Sequence, residues 1–176
     1  VHHGIAVADR KLENFIELAK LLKPCFKIEL MLTRNNSHYY KQLVDKASIQ
    51  KNISFRDPVP TNKIVETINE FDIGIMIVPP NNLNCLYMSP NKFWEYIQAR
   101  LCTLFFPYPV IKQITNEYDT GFTSDDFTIQ SMADKLNSLD AESIFKMKQS
   151  NHQHAYELSA EVQKQKINLL IDNLLK

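Results

Sequence analysis

Glycine is scarce in this chain: 3 in 176 residues, at Gly4, Gly74 and Gly121. So thin a supply excludes a glycine-rich phosphate loop and the G-x-G-x-x-G dinucleotide fingerprint. Cysteine is equally sparse. Cys25, Cys85 and Cys102 stand far apart with no C-x-x-C pair, so neither a zinc cage nor a disulfide framework is indicated. Free or buried thiols in a reducing compartment are expected. Neither sign of charge is in excess, with 20 Lys and Arg against 20 Asp and Glu. A protein that binds nucleic acid by neutralising phosphates shows a basic surplus, so no nucleic-acid partner is expected. No apolar run approaches the roughly 18–20 residues that span a bilayer. The opening Val1-His2-His3-Gly4 has neither the charged nor the apolar region of a secretory signal. A start on Val-His-His without Met is read as that of a piece of a longer protein.

The composition is that of a folded domain. Hydrophobic residues at 44% and charged ones at 23% supply enough apolar side chain to offset chain entropy. The length suits a single domain, 1–176, and would cramp two. Short apolar runs alternate with helical patterns. Strands are expected at 1–7, 26–33, 52–55, 72–78, 102–106 and 120–123, and helices at 11–22, 37–47, 62–71, 90–100, 110–117, 128–139, 143–158 and 161–175. The run DIGIMIV at 72–78 is nearly all apolar, as a central parallel strand buried on both faces should be. Thr61 is expected to cap the helix 62–71, and Ser89 the helix that begins with Pro90. Residues 79–88, rich in Asn and Pro, read as a loop. This alternation argues for an α/β fold: a doubly wound, Rossmann-like parallel sheet of about six strands, order 3-2-1-4-5-6, with helices on both faces. Ligands of such sheets bind outside the carboxyl ends of the strands where the order reverses, here between strands one and four. The crevice is therefore expected between residues 4–11 and residues 79–92.

The second wall carries the chemistry. A helix from Pro90 puts Asn91, Glu95 and Gln98 on one polar face and turns Phe93, Ile97 and Leu101 toward the sheet. Its free first-turn N–H groups favour a phosphate or other anion. A carboxylate one turn further in can accept from two ribose hydroxyls. The plainer alternative is that Glu95 pairs with Lys92 or Arg100 on a solvated face. His2 and His3 lie near the crevice, but a metal needs them to converge with a third ligand, and none stands at a suitable spacing. No metal site is expected, and no Ser-His-Asp or Cys-His nucleophile can be assembled. Near the end, Val162, Leu169, Leu170, Ile171, Leu174 and Leu175 form a broad apolar face, packed on the sheet or left exposed.

D-I-G-I-M-I-V-P followed by S-P-N-K-F-W-E-Y-I-Q-A-R resembles the "aDigl-P … PNK-f-EY-maaG" signature of glycosyltransferases. The likeness is to the C-terminal, nucleotide-sugar-binding half of the GT-B fold in the retaining, group-1 type, which includes bacterial polysaccharide enzymes. It extends over most of the chain. H-H-G-x(5)-R resembles the loop after the first strand, F-R-D-P-V-P at 55–60 the turn before the third helix, and Gly121 falls where the family has a glycine. The segment P-N-K-F-W-E-Y is the specific part.

The resemblance implies a role for each matching residue. Glu95 stands for the glutamate that binds the ribose hydroxyls. Arg10 stands where the family has a lysine on the diphosphate, and a guanidinium suits that contact. Gly4 stands for the glycine that lets the backbone approach the donor phosphates. Ser89 and Asn91, at the mouth of the Glu95 helix, supply polar contacts, with Lys92 beside them. Three positions depart from the pattern. Tyr87 replaces an earlier glutamate near the donor sugar, Ile5 an arginine beside the diphosphate, and Arg100 the glycine that ends the helix.

The resemblance implies a donor-binding half that moves sugar from a UDP- or GDP-sugar to a saccharide acceptor, in cell-surface polysaccharide synthesis. The acceptor site lies in an N-terminal domain outside this sequence, so the fragment alone is expected to be inactive, and no cofactor is implied. A cytoplasmic location, with the full-length enzyme at the inner face of the membrane, goes with that reading. The alternative is a non-catalytic GT-B-like ligand-binding module or the related nucleotide-sugar epimerase half, the three departures favouring the former.

Overall fold

In the computed structural model, which describes residues 1–175, the chain first lays down β1 (His2–Ile5), α1 (Glu13–Leu21), β2 (Ile28–Thr33), α2 (Ser37–Ala47), β3 (Ile53–Arg56) and α3 (Ile64–Ile68). There follow β4 (Ile73–Met76), α4 (Leu83–Leu86), α5 (Asn91–Gln98), β5 (Cys102–Phe105), α6 (Pro109–Tyr118) and β6 (Gly121–Thr123). Three helices close the chain: α7 (Ile129–Ser138), α8 (Ala141–His154) and α9 (Ala160–Leu174). Strands β1-β2-β3 make one parallel sheet and β4-β5-β6 a second. Register runs His2 opposite Leu30, Ile28 opposite Ile53, Ile73 opposite Cys102 and Thr103 opposite Gly121.

The chain therefore has two three-stranded sheets where the sequence suggests one of six. They meet at Val1, whose N donates to Ile73 O (2.6 Å) and whose O accepts from Ile75 N (2.9 Å). A continued parallel ladder would next hand Ile75 O to the backbone N–H of His3. Side chains take that carbonyl instead: His2 Nδ1 at 2.9 Å and the Tyr96 hydroxyl at 3.3 Å. The ladder stops after Val1, and β1 and β4 part toward their carboxyl ends.

Burial follows the apolar pattern. Leu30, Leu32, Leu104 and Phe105 are fully buried in the strands, against Phe15 and Leu18 of α1 and Phe93, Tyr96 and Ile97 of α5. Burying each such side chain contributes about 1.5–3 kcal/mol. Gly121 is required by contact: a Cβ there would collide with the backbone of Thr103 across the β5–β6 pair.

Three expectations are corrected. Thr61 caps nothing; it opens a 3₁₀ turn, Thr61–Lys63, and α3 begins only at Ile64. The loop 79–88 contains α4, a single turn whose cap is Asn82, accepting from Cys85 N at 2.8 Å. Ser89 is not the cap of α5: Pro90 holds that position in an extended conformation, and Ser89 Oγ accepts from Trp94 Nε1 at 3.0 Å. Of the two places left open for the apolar face of α9, the exposed one is observed: the helix buries no residue, and its apolar side chains reach 84% exposure at Leu174.

Arg100 shows why a glycine suits the end of the α5 helix. Its φ is +63°, in the left-handed region that costs an L residue and not glycine. Its guanidinium bonds Gln98 O, recovering part of that cost. Arg100→Gly is expected to stabilise the fold by about 0.5–1 kcal/mol, a rise of roughly 1–4 °C in Tm. A lower Tm in a thermal melt would show that the side-chain bond outweighs the strain.

Candidate functional site

The parted ends of β1 and β4 open a cavity of about 600 Å³. Its walls come from His2 to Arg10 on one side and from Asn84 to Glu95 on the other, with Ile64 of α3 at one edge. Of the seven candidate residues, Gly4, Arg10, Ser89, Asn91, Lys92 and Glu95 line it. Tyr87 does not; it is 59% exposed, outside the lining. Arg34, the other basic group after β2, is also elsewhere, paired with Asp57 and stacked on the Tyr40 ring. Gln98 leaves the polar face of α5 to donate to Ala155 O at 2.7 Å. Arg100 sits against α8, away from the cavity. Its departure from the resembled pattern therefore lies outside this cavity.

The first turn of α5 carries no side-chain cap. Phe93 N donates to Pro90 O at 3.0 Å, and the N–H groups of Asn91 and Lys92 before it are left to solvent or to a ligand, at the positive end of the helix dipole. Two cations stand beside them. Lys92 packs over the α-carbon of Gly4 so closely that a Cβ there would lie 2.9 Å from Nζ, and Gly4 has φ +147°. Only glycine fits both that backbone and that approach. Burial and, after it, the charge of Arg10 hold the Lys92 ammonium below its ordinary pKa, while Glu95 opposes the fall. Among the described residues neither Arg10 nor Lys92 has an ion-pair partner.

Glu95 pairs with neither Lys92 nor Arg100. Its Oε2 lies 3.2 Å from Nε2 of His3, an ion-pair distance. The approach is off-line, so Nε2 has no well-aligned hydrogen-bond partner. The His3 contact is the main cause holding the Glu95 carboxyl below the usual range, against the opposing cost of burial; the charges of His3 and Lys92 add to it. A depressed carboxylate stabilises the fold above its unfolded-state pKa, and that contribution is lost as pH falls through the depressed value. His2, fully buried, is held well below the ordinary imidazole value by burial, with Lys92 next in effect. It is neutral at pH 7, and because a carbonyl only accepts, its Nδ1 carries the proton that Ile75 O receives.

Sequence reasoning missed His3 as a site residue, weighing the adjacent histidines only as metal ligands. It also missed Cys85 and Asn84 of α4, which line the cavity. Among the described residues no three His, Cys, Asp or Glu converge as a metal site, and no helix is long and apolar enough to cross a membrane. Burial pushes the Cys102 thiol up to about 12, and all three cysteines are free thiols.

No family model and no curated protein sequence matches the chain. Solved structures do. The C-terminal domain of a glycosyl transferase group 1 family protein from Francisella tularensis superposes with a TM-score of 0.63 at 19% identity, over 89% of this chain and 83% of that one. A glycosyltransferase from Rickettsia africae gives 0.73 at 14% identity, over 99% of this chain and 48% of its own. Anabaena HepE, solved in complex with UDP and glucose, gives 0.73 at 11% identity, over 98% of this chain and 48% of its own. The chain spans about half the length of the latter two. At these identities the likeness shows the fold, which is consistent with half of a GT-B fold.

Proposed function

We propose that the chain is the nucleotide-sugar-binding half of a retaining, GT-B glycosyltransferase that moves sugar from a nucleoside-diphosphate sugar to a saccharide. The observation that carries this reading is the pair of unpartnered cations, Arg10 and Lys92, at the uncapped start of α5, with Glu95 one turn further in. An ammonium largely removed from water with no carboxylate on it is costly, and a diphosphate offsets that cost. The same positive charge suits a departing diphosphate, where it stabilises the charge that develops as the glycosidic bond to the donor breaks. The structural likeness to glycosyltransferases, one of them holding UDP and glucose, supports the reading. The acceptor would be held by a further domain, and cell-surface polysaccharide synthesis in the cytoplasm, at the membrane's inner face, is the proposed setting.

A non-transferring ligand-binding module is the second reading, favoured by two observations. Tyr87 lies outside the cavity lining, and Ile5, on the cavity wall, brings no charge. A calorimetric panel of UDP, GDP, ADP and their sugars decides between them. The transferase reading expects nucleoside diphosphates to bind more tightly than monophosphates, and the added sugar to contribute. Absence of binding by every member of the panel overturns it.

A further inference from the structure

We propose that His3 is a positioning residue for Glu95, holding one carboxylate oxygen so that the group is oriented for a vicinal diol. The inference rests on the reading of Glu95 as the ribose contact and adds a residue to it. His3 is 5% exposed, and its ring is held edge-on against Tyr96, with centroids 5.4 Å apart and planes at 88°. The imidazole is therefore fixed by packing, as a group that orients another must be. Its Nε2 lies 3.2 Å from Glu95 Oε2 and has no well-aligned partner elsewhere among the described residues. His3 lines the cavity, but its Nε2 is itself shut off from solvent, so a ligand meets the carboxylate and not this nitrogen. The groups against the His3 ring are Glu95 and the Tyr96 ring from α5, with His2 next to it on its own strand.

A Glu95 side chain without that contact is free to rotate, and the diol loses a carboxylate already in place. The position of His3 relative to α5 depends on β1 and β4 parting, since His3 N would otherwise join the ladder through Ile75 O. The broken ladder and the oriented carboxylate are then parts of one arrangement.

The test uses the 176-residue chain with His3→Phe, which keeps the ring on Tyr96 and removes the nitrogen, and His3→Gln, which keeps a donor. Each is titrated with a nucleoside diphosphate and with its 2′,3′-dideoxy form, in wild-type and Glu95→Gln backgrounds. His3→Phe is expected to weaken the ribo ligand by roughly three- to tenfold and the dideoxy ligand by under about twofold. His3→Gln should recover most of the loss, and His3→Phe should cost nothing further once Glu95→Gln is present. Carbon-13 titration of the Glu95 carboxyl should move upward in His3→Phe. His3→Leu gives the same comparison if phenylalanine lowers the melt. If the wild type prefers ribo over dideoxy and His3→Phe preserves that preference, the positioning role is overturned while the Glu95 reading stands. An unchanged carboxyl titration also overturns the positioning role. If the wild type shows no such preference, the ribose reading falls and takes this one with it.

Discussion

Glu95→Gln is expected to reduce UDP or GDP affinity by about tenfold or more, while the 2′,3′-dideoxy nucleotide loses little. An ionised carboxylate accepts from two hydroxyls through charge-assisted bonds, each stronger than a neutral one. The amide keeps the shape but loses the charge and turns one acceptor into a donor. His3 sharpens the expectation. Its Nε2 sits 3.2 Å from Oε2, so one end of the variant's amide can settle on the imidazole and leave the other end for the ligand. One hydroxyl contact then persists, which keeps the loss short of complete removal. Stability should change little at neutral pH, because the group is half-buried at a cavity wall. In acid the variant should lose less stability than the wild type, since it lacks a depressed carboxyl to protonate. Calorimetry with the two ligands and melts from neutral pH into the acid range check both statements. Equal loss for ribo and dideoxy ligands would show that Glu95 does not read the ribose.

The place of the cavity is legible in the sequence because it follows from topology. Parallel strands joined by helices need crossovers of one hand, and the reversal between the first and fourth strands leaves a gap at their carboxyl ends. Six of seven candidate residues therefore meet there, although they come from two segments far apart in the chain. Tyr87 falls outside the lining because its placement depends on α4, a turn of four residues set by the Asn82 cap and too short to leave a periodic signal. Ser89 fails as a cap because its hydroxyl is claimed by an indole one helical turn away. His3 is invisible for another reason. Its role depends on a carboxylate brought to it only by packing α5 on β1, and no spacing along the chain records that. The split of the sheet is equally hidden, since it turns on which groups reach one carbonyl, that of Ile75.

Lys92→Met is expected to move stability and ligand affinity in opposite directions. Methionine keeps most of the stem and packing volume and removes a charge that burial disfavours. A lysine in the first turn also opposes the helix dipole, so both effects favour the variant. Without ligand, it should be more stable by about 1 kcal/mol, or roughly 2–4 °C in Tm. The pH dependence carries the same sign. Lys92 holds its proton less tightly folded than unfolded, so wild-type stability rises with pH from the depressed value up to about 10.4. The variant lacks that rise, and its advantage shrinks as the medium becomes alkaline. Affinity for a nucleoside diphosphate should fall about ten- to a hundredfold, while the free nucleoside loses little. Arg10→Ala should show the same preference for diphosphate with at most a small rise in Tm, because Arg10 is exposed on a 3₁₀ turn and its charge bears on the fold only by disfavouring the Lys92 ammonium. The double variant should lose less than the two single losses combined. Each cation raises the cost of the other until an anion lies between them, and removing one relieves its neighbour. Melts across pH and titrations with diphosphate, monophosphate and nucleoside make the measurement. A less stable Lys92→Met that weakens all three ligands alike would mean that Lys92 serves the fold, and the anion site would have to be sought elsewhere along the cavity.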